Sequence, residues 1–265
     1  MKTTDLGDRM KKYESQTTKT ELIPLIPVVA RLDGKSFSKF TKGLKRPYDE
    51  RLSKLMIDTT KFLVQTFNAN IGYTQSDEIS LIFYNPDPKS QPLFGNRVFK
   101  LETAFAAYAS VYFIKNLNRI PEKMNKFPTF DCRVFNVPNE NEAVNALYWR
   151  ELDATKNSIT MAASSVYSHS KLMNKNGKEK QEMLFQKGIN WNDYPTFFKR
   201  GQYVQRKRVF RKFTAEELNK LPEKHEARKN PELKIERWEV RELDLPPLSK
   251  IKNKVGVVLF GEDCE

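Results

Sequence analysis

Three acidic residues are the first candidates for chemistry because each adjoins a strand-like apolar run. Asp33 ends the run Ile26–Leu32, and Asp77 and Glu78 lie between two short apolar runs further along the chain. Two carboxylates that face each other repel, which raises a pKa. A pair of divalent ions about 3.5–4 Å apart relieves this repulsion, activates an attacking hydroxyl and stabilises a leaving pyrophosphate. Oxygen ligands completed by substrate phosphates suit Mg²⁺. The alternative is that each acid only caps a turn.

The elements around these acids predict that Asp33 and Asp77 meet. Apolar and β-branched runs indicate strands, and long amphipathic runs indicate helices. The resulting order β-α-β-β-α-β is the ferredoxin-like split pattern of an α+β fold, in which the first and third strands are adjacent. The predicted strands are Ile26–Leu32, Ile71–Thr74, Ile79–Tyr84 and Phe130–Val137, and the predicted helices are Asp49–Phe67 and Arg97–Leu117.

The second half of the chain is less regular. We expect a catalytic domain over residues 1–140 and a basic C-terminal extension over residues 141–265 that packs on it. In the extension, the patterns predict helices at Glu140–Lys156 and Ser170–Gln186, an irregular basic stretch, a loop at Glu223–Lys234, and strands at Trp238–Leu245 and Val255–Phe260.

Several residues near the acids are suited to phosphate. Gly34 permits close backbone approach to an anion, and Lys35, Ser36, Phe37 and Ser38 follow it directly. Arg46 precedes a helix N-terminus, which adds partial positive charge. Arg97 and Lys100 share a helix face and are candidates to clamp a triphosphate. An ordinary solvated helix face is the alternative for this last pair.

The charge of the chain favours a polyanionic partner. It carries 46 Lys+Arg against 33 Asp+Glu, a net +13, although solubility alone is an alternative reason. The run Lys199–Lys212 holds seven basic residues and no acid, with Tyr203 and Phe210 among them. Basic residues interleaved with aromatics are typical of RNA binding, with a solvated face as the alternative. The candidates are Lys199, Arg200, Arg206, Lys207, Arg208, Arg211 and Lys212.

Composition excludes several classes of protein. The aromatic fraction of 12% and hydrophobic fraction of 39% are too high for a disordered chain. The two cysteines, Cys132 and Cys264, provide neither a disulfide framework nor a zinc knuckle. The sequence shows no run approaching the ~20 apolar residues that span a bilayer, and Met1–Glu14 is polar. We therefore expect a soluble, cytoplasmic protein.

The order of motifs along residues 1–212 resembles the tRNA-His guanylyltransferase family. The matching stretches are Arg31-Leu32-Asp33-Gly34-Lys35-Ser36-Phe37, Gln75-Ser76-Asp77-Glu78-Ile79-Ser80, Phe130-Asp131-Cys132-Arg133-Val134, Trp149-Arg150 with Asp153 and Asn157, and Gly188-Ile189-Asn190 through Phe197-Phe198-Lys199. The resemblance implies a polymerase-like palm. It also implies 3′-to-5′ nucleotide addition to the 5′ end of tRNA, after ATP activates the 5′ phosphate, with GTP or another nucleoside triphosphate as the added nucleotide.

The resemblance also implies roles for individual residues. Asp33, the Gly34 carbonyl and Asp77 would hold two Mg²⁺ ions, and Glu78 would support the site. Nucleotide would be bound by Asp33–Ser38, Arg46, Ser76, Asp77 and Asn157, with Arg97 and Lys100 on the triphosphate. Family members are commonly tetramers, so a homotetramer is implied.

One stretch departs from the family's pattern. Where the guanylyltransferase proper carries His-Ile-Asn-Asn, this chain has Thr155-Lys156-Asn157-Ser158. This resembles the second branch of the family, the guanylyltransferase-like proteins, which repair truncated tRNA 5′ ends against the opposite strand. The alternatives are the guanylyltransferase proper, a palm-type nucleotide cyclase, against which the basic run argues, and a non-catalytic RNA-binding module.

Overall fold

All six strands pair into one antiparallel sheet. The computed structural model describes residues 3–230 and 232–265. The strands are β1 (Val28–Gly34), β2 (Ile71–Gln75), β3 (Glu78–Phe83), β4 (Phe130–Asn136), β5 (Gln202–Lys212) and β6 (Lys234–Leu243). Their spatial order is β4-β1-β3-β2-β5-β6. The order of the first four strands confirms the predicted split β-α-β arrangement with β1 and β3 side by side.

The described helices lie between these strands and after them. They are α1 (Thr3–Thr18), α2 (Phe37–Phe40), α3 (Glu50–Phe67), α4 (Val98–Lys115), α5 (Glu140–Ser164), α6 (His169–Leu172), α7 (Gly177–Phe185), α8 (Thr196–Arg200), α9 (Ala215–Lys220) and α10 (Glu226–Lys229). The helix predicted over Asp49–Phe67 is confirmed, with Asp49 as its N-cap residue.

One face of the sheet packs against α3 and α4. Alternate residues of a strand point to opposite faces, so Ala30 and Leu32 of β1 join the core formed with these helices. Helix α3 lies unusually close to β2 because Gly72 has no side chain. A Cβ there would lie 2.7 Å from methyl groups of Thr60 and Val64. This packing fixes α3, whose N-terminus lies beside the acidic edge.

The other face packs against α5 and the C-terminal segment. Val29, Tyr73 and Tyr203 of the sheet join a second core with Leu147 of α5 and Leu248. A third cluster connects the end of α5 to α6, α7 and α8. Strands β5 and β6 belong to the second half of the chain but extend the sheet of the first half. The sheet therefore runs across the predicted boundary at residue 140.

The structure corrects several predicted elements. The predicted strand Val255–Phe260 is wrong, because Gly256–Phe260 forms a π-helical turn whose carbonyls at Val257 and Val258 accept hydrogen bonds from the Gln205 amide. The predicted irregular basic stretch is largely the strand β5. The predicted helix Ser170–Gln186 is two helices, because Asn176 begins a new one with a capping box.

The remaining differences concern the ends of elements. Helix α5 continues past Lys156 to Ser164, and the loop predicted at Glu223–Lys234 contains α10. Among the described residues, none of the helices has the length and apolar character needed to cross a bilayer.

Candidate active site

The structure brings Asp33 and Asp77 to one edge of the sheet. Asp33 is the register partner of Glu78 across β1 and β3. The backbone N–H of Gly34 donates to the Asp77 carbonyl over 3.1 Å. The turn between β2 and β3 is thereby tied to the end of β1, with Ser76 in the left-handed region at φ 51°. The predicted convergence of the two acids is confirmed.

The raised pKa of Asp77 indicates that no cation among the described residues balances the two acids. Burial raises the pKa of the Asp77 carboxyl, and the nearby negative charge of Asp33 raises it further, against hydrogen bonds from its own backbone and Ser76. Within residues 3–230 and 232–265, no cluster of three or more His, Cys, Asp or Glu side chains is placed to hold a metal. Two carboxylates that leave the other positions to water and substrate phosphate fit Mg²⁺.

Glu78 belongs to a buried polar network rather than to the open edge. Its carboxylate accepts a 2.5 Å hydrogen bond from Nε of Arg150, and both side chains are about 10% exposed. Arg150 also donates to Asp153 over 2.9 Å, and Asn157 donates to the same oxygen over 3.0 Å. Burial raises the pKa of Glu78 although Arg150 opposes this effect. The network ties α5 to β3 beside the acids.

A cavity of about 550 Å³ opens beside this edge. This volume is in the range of small-molecule sites. The lining includes four residues predicted to bind nucleotide, which are Ser38, Arg46, Ser76 and Asn157. It also includes cationic and aromatic residues that the sequence analysis missed, which are Lys42, Lys45, Tyr48, Phe197 and Phe198. The position of Lys42 and Lys45 between Asp33 and Arg46 was the available signal. The cavity combines positive charge with an aromatic wall, as a nucleotide requires.

The loop after β1 holds part of its predicted binding stretch in the core. Phe37 is 2% exposed and its ring packs on Phe40, Phe113 and Phe130, so only its backbone is left to contact a nucleotide, and its predicted role in binding stays a prediction. The backbone N–H of Lys35 donates to Thr129 and is therefore occupied. Lys35, Ser36 and Ser38 have exposed side chains.

Gly34 is required for this loop to close. A Cβ at Gly34 would lie 2.4 Å from the Phe37 ring. The glycine therefore permits the buried aromatic side chain to lie directly against the strand end that carries Asp33.

Arg97 and Lys100 are not brought to this site. Arg97 precedes α4 and forms a β-bridge with Glu21, whereas Phe113 near the other end of α4 contacts Phe37. Sixteen helical residues span about 24 Å. Within one chain, Arg97 and Lys100 therefore do not lie beside Asp33, and their predicted role on the triphosphate stays a prediction. A shared helix face was correctly inferred, but its position relative to the acids was not.

The basic run is distributed over α8 and β5, and acids from α9, β6 and the segment before β6 pair with its far end. Lys199 and Arg200 lie in α8. The distal residues Arg211 and Lys212 are paired with acids, Arg211 with Glu217 and Glu239 and Lys212 with Glu232. These ion pairs reduce the positive charge that this end of β5 offers to a polyanion.

The middle of β5 stays open. Lys207 donates to the Gly261 carbonyl. Arg206 and Arg208 lie 5.3 and 5.0 Å from the ring centre of Trp238, which is 54% exposed. Arg206 hydrogen-bonds Asn68, and Arg208 lies 3.4 Å from Glu236. We call Arg206, Arg208, Phe210 and Trp238 the ribbon patch. Trp238 was missed because it is distant in sequence from the basic run.

Comparison with known proteins assigns the chain to a family. The family model of tRNAHis guanylyltransferase (Thg1) matches residues 7–138. The tRNA(His) guanylyltransferase of Saccharomyces cerevisiae is 34% identical over a 205-position alignment that covers 70% of this chain and 85% of that protein. This chain belongs to the tRNAHis guanylyltransferase family. Members of this family are nucleotidyltransferases, and the chain is an enzyme of that class.

Solved structures extend the similarity over nearly the whole chain. A bacterial tRNA(His) guanylyltransferase (Thg1)-like protein in complex with ATP has a TM-score of 0.78 and 32% identity, covering 96% of this chain and 98% of its own. A bacterial Thg1-like protein in complex with GTP has a TM-score of 0.71 and 31% identity, covering 93% and 94%. The family fold thus includes the second half of the chain, where the family model does not match.

Proposed function

We propose that the protein adds nucleotides to the 5′ end of tRNA in the 3′-to-5′ direction, choosing each by pairing with the opposite strand. The observation that carries this proposal is the Asp33–Asp77 pair beside the cavity, in a chain of the tRNAHis guanylyltransferase family. The two solved relatives with ATP and GTP support both nucleotides as substrates. The split β-α-β sheet is consistent with a polymerase-like palm.

The residues of the site have distinct roles in this reaction. Asp33, the Gly34 carbonyl and Asp77 would hold two Mg²⁺ ions, which supply a stronger nucleophile and charge stabilisation for phosphoryl transfer. Lys42, Lys45 and Arg46 hold the triphosphate, while Ser38, Ser76 and Asn157 orient the nucleotide. Tyr48 and Phe197 provide apolar walls. Glu78 keeps the turn that carries Asp77 in place through its ion pair with Arg150.

Template-dependent addition is supported by the run Thr155-Lys156-Asn157-Ser158 in α5. A site that selects one base without a template must read it with its own hydrogen-bonding groups. Here the Thr155 hydroxyl donates to the Glu151 carbonyl, and the Asn157 amide donates to Asp153. The Thr155 hydroxyl is thus engaged, and Asn157 keeps only one N–H and its Oδ1 for the nucleotide, so base choice passes to the opposite RNA strand.

The test uses tRNAs that lack their first nucleotide and differ only in the base opposite the gap. We expect the added nucleotide to follow the opposing base for all four bases, on several tRNAs. Addition of guanosine whatever the opposing base, and only to tRNA-His, would indicate the guanylyltransferase proper. A cyclic nucleotide formed from labelled ATP without RNA would indicate a cyclase. Sedimentation of the same preparation tests the homotetramer that the family resemblance implies.

We also propose that the region 141–265 binds the tRNA, chiefly through the ribbon patch. Guanidinium groups neutralise phosphates, and an exposed tryptophan offers a stacking surface. Removal of Arg206 and Arg208 together should weaken tRNA binding and reduce its salt dependence by a slope of about 0.7–0.9 for each phosphate that the protein no longer neutralises.

The matched control is the removal of Arg211 and Lys212. It deletes two positive charges from the same strand, but closer acidic partners neutralise these charges, whereas Arg208 has one exposed partner at 3.4 Å. We expect a smaller change in salt slope than for the Arg206/Arg208 variant. Equal slopes for both variants and the wild type would show that β5 is a solvated strand.

A further inference from the structure

A second pair of arginines lies across two strands beside the acids. Arg31 of β1 and Arg133 of β4 are direct register partners. Direct partners in an antiparallel pair project from the same face of the sheet. Arg31 lies two residues before Asp33, so it shares that face with Asp33, about 7 Å away along the strand. The two guanidinium groups thus adjoin the catalytic edge from the side of the outermost strand, β4.

Within the part of the chain that the structure describes, neither arginine forms an ion pair with an acid, although Arg31 lies close enough to Glu78 to lower the pKa of that carboxyl. None of the ion pairs there involves Arg31 or Arg133, although 16 such pairs lie elsewhere. Like charges directly opposite each other destabilise a sheet. Asp131 is the acid on β4 nearest in sequence to Arg133, but it lies opposite Asp33 in the register. An unpaired cation pair on adjacent strands is the arrangement that a phosphate group would stabilise, because guanidinium groups bind phosphate oxygens bidentately.

Trp149 orients one member of the pair. The guanidinium carbon of Arg31 lies 5.3 Å from the centre of the Trp149 ring, and Trp149 is 55% exposed on α5. A guanidinium that stacks on an aromatic ring loses little further freedom when it binds a ligand. Trp149 is therefore a positioning residue for Arg31.

We propose that Arg31 and Arg133 bind the 5′-terminal phosphate of the RNA, and that Trp149 holds Arg31 in place for it. This proposal rests on the proposed function, because it assigns the reacting phosphate of that reaction. The nucleotide's own phosphates have Lys42, Lys45 and Arg46 in the cavity. Arg31 and Arg133 lie outside that lining, on the side of the sheet that the edge strand leaves open to a large substrate.

Binding of two RNA hairpins tests the assignment without turnover. The hairpins are identical except that one carries a 5′ monophosphate and the other a 5′ hydroxyl, and no nucleotide is present. We expect the wild-type protein to prefer the phosphate form by at least about tenfold, which is ~1.4 kcal/mol, since guanidinium groups form charge-assisted hydrogen bonds with phosphate but not with a hydroxyl. Arg133→Leu should lose most of the preference, because Arg31 alone remains to bind the phosphate. Arg133→Lys should keep part of the preference, because it retains charge but not bidentate geometry.

Arg208→Leu is the matched control. Arg208 is also an arginine on a strand beside a tryptophan, but it lies on the ribbon patch. Its loss should weaken both hairpins alike and leave their ratio unchanged. Trp149→Leu should lower the ratio, and rescue by Trp149→Phe would show that the aromatic ring acts by holding Arg31.

Two results would overturn the proposal. They are a wild-type protein without preference for the phosphate form and an unchanged preference in Arg133→Leu. An unchanged preference together with a loss of ATP affinity in Arg133→Leu would assign the pair to the nucleotide. Failure of the proposed function appears separately, as absence of nucleotide addition by the wild-type protein.

Discussion

Asp33 and Asp77 reach one another because a backbone hydrogen bond ties the end of β1 to the turn before β3. Burial of Asp77 and the charge of Asp33 both disfavour the doubly ionised pair. The arrangement costs folding free energy in the absence of a cation. Residues that are destabilised by their own neighbours often serve binding rather than stability.

We therefore expect Asp33→Asn and Asp77→Asn each to abolish nucleotide addition and leave the fold intact. Loss of a metal ligand removes several kcal/mol of charge stabilisation from the transition state, which corresponds to at least about a hundredfold in rate. The thermal midpoint in EDTA should be unchanged or higher, because the mutation relieves like-charge repulsion. The measurements are single-turnover nucleotide addition in Mg²⁺ and thermal unfolding. Retained turnover in either variant would contradict the metal assignment.

At this scale the sequence predicted the acids but not their supporting residues. Asp33 and Asp77 adjoin strands, so strand order alone brings them together. Arg150 was visible only as part of a motif. Its bond to Glu78 spans 72 residues of sequence, and no local pattern predicts the contact. Lys42 and Lys45 were passed over because they lie in a loop, where periodicity carries no information.

At the N-terminus of α3, Asp49 determines where the helix begins beside the cavity. Its carboxylate accepts hydrogen bonds from the Arg51 backbone over 3.0 Å and from the Arg51 guanidinium over 2.7 Å. The Arg51 side chain lowers the pKa of Asp49 to about 2, with burial opposing this effect. The ionised form is therefore strongly preferred in the folded protein, and the end of the cavity depends on it.

Asp49→Asn should lower the free energy of unfolding by about 2 kcal/mol at pH 7, the equivalent of the pKa shift. Asparagine retains N-cap preference, so the variant isolates the charge. Because the folded pKa lies below the unfolded value, the stabilisation is present above pH about 4 and is lost as pH falls towards 2. Urea unfolding measures this. The free energy of unfolding of the variant should lie well below that of wild type at pH 7, and the difference should be smaller at pH 3.

Glu122→Gln is the control for this prediction. Glu122 also bonds the Arg51 guanidinium, but both side chains are exposed there, and exposed pairs contribute about 1 kcal/mol or less. An Asp49→Asn variant that matched Glu122→Gln at every pH would contradict a special role for Asp49.

Helices and strands were predictable where a regular hydrophobic pattern extends over many residues. Helices α3 and α4 and strands β1 to β4 follow the sequence pattern closely. The π-helical turn at Gly256–Phe260 was mistaken for a strand because short apolar runs do not distinguish buried strand from buried helix. Its conformation is set by side chains distant in sequence, Gln205 and Asn70, which bond its carbonyls. Strand β5 was likewise missed because its hydrogen-bond partners, β2 and β6, are distant in sequence.

The whole molecule depends on the second half of the chain completing the sheet and covering its face. Strand β5 pairs with β2, and the C-terminal segment packs on the same core as α5. Glu151 joins these parts. The residue is 3% exposed. Its carboxylate accepts hydrogen bonds from the Tyr203 hydroxyl over 2.9 Å and from the Leu248 N–H over 3.1 Å. The sequence did not predict this connection, since it joins three elements spread over 97 residues.

Glu151→Gln should make the protein progressively more stable relative to wild type as pH rises above the ordinary pKa of glutamate. Burial raises the pKa of Glu151, against hydrogen bonds from Tyr203 and Leu248. Because the folded pKa exceeds the unfolded value, the contribution of Glu151 to stability is full below pH about 4.5 and is lost as pH rises through the folded pKa. Glutamine stays neutral and keeps an acceptor for one of the two donors. The variant protein therefore does not lose stability as pH rises in the way that wild type does. Thermal midpoints of both proteins across this range measure the difference.

Glu142→Gln, at an exposed position of the same helix, should follow the wild-type curve. Parallel curves for wild type and Glu151→Gln would show that Glu151 stays ionised and stabilising, with the three elements held together by its charge.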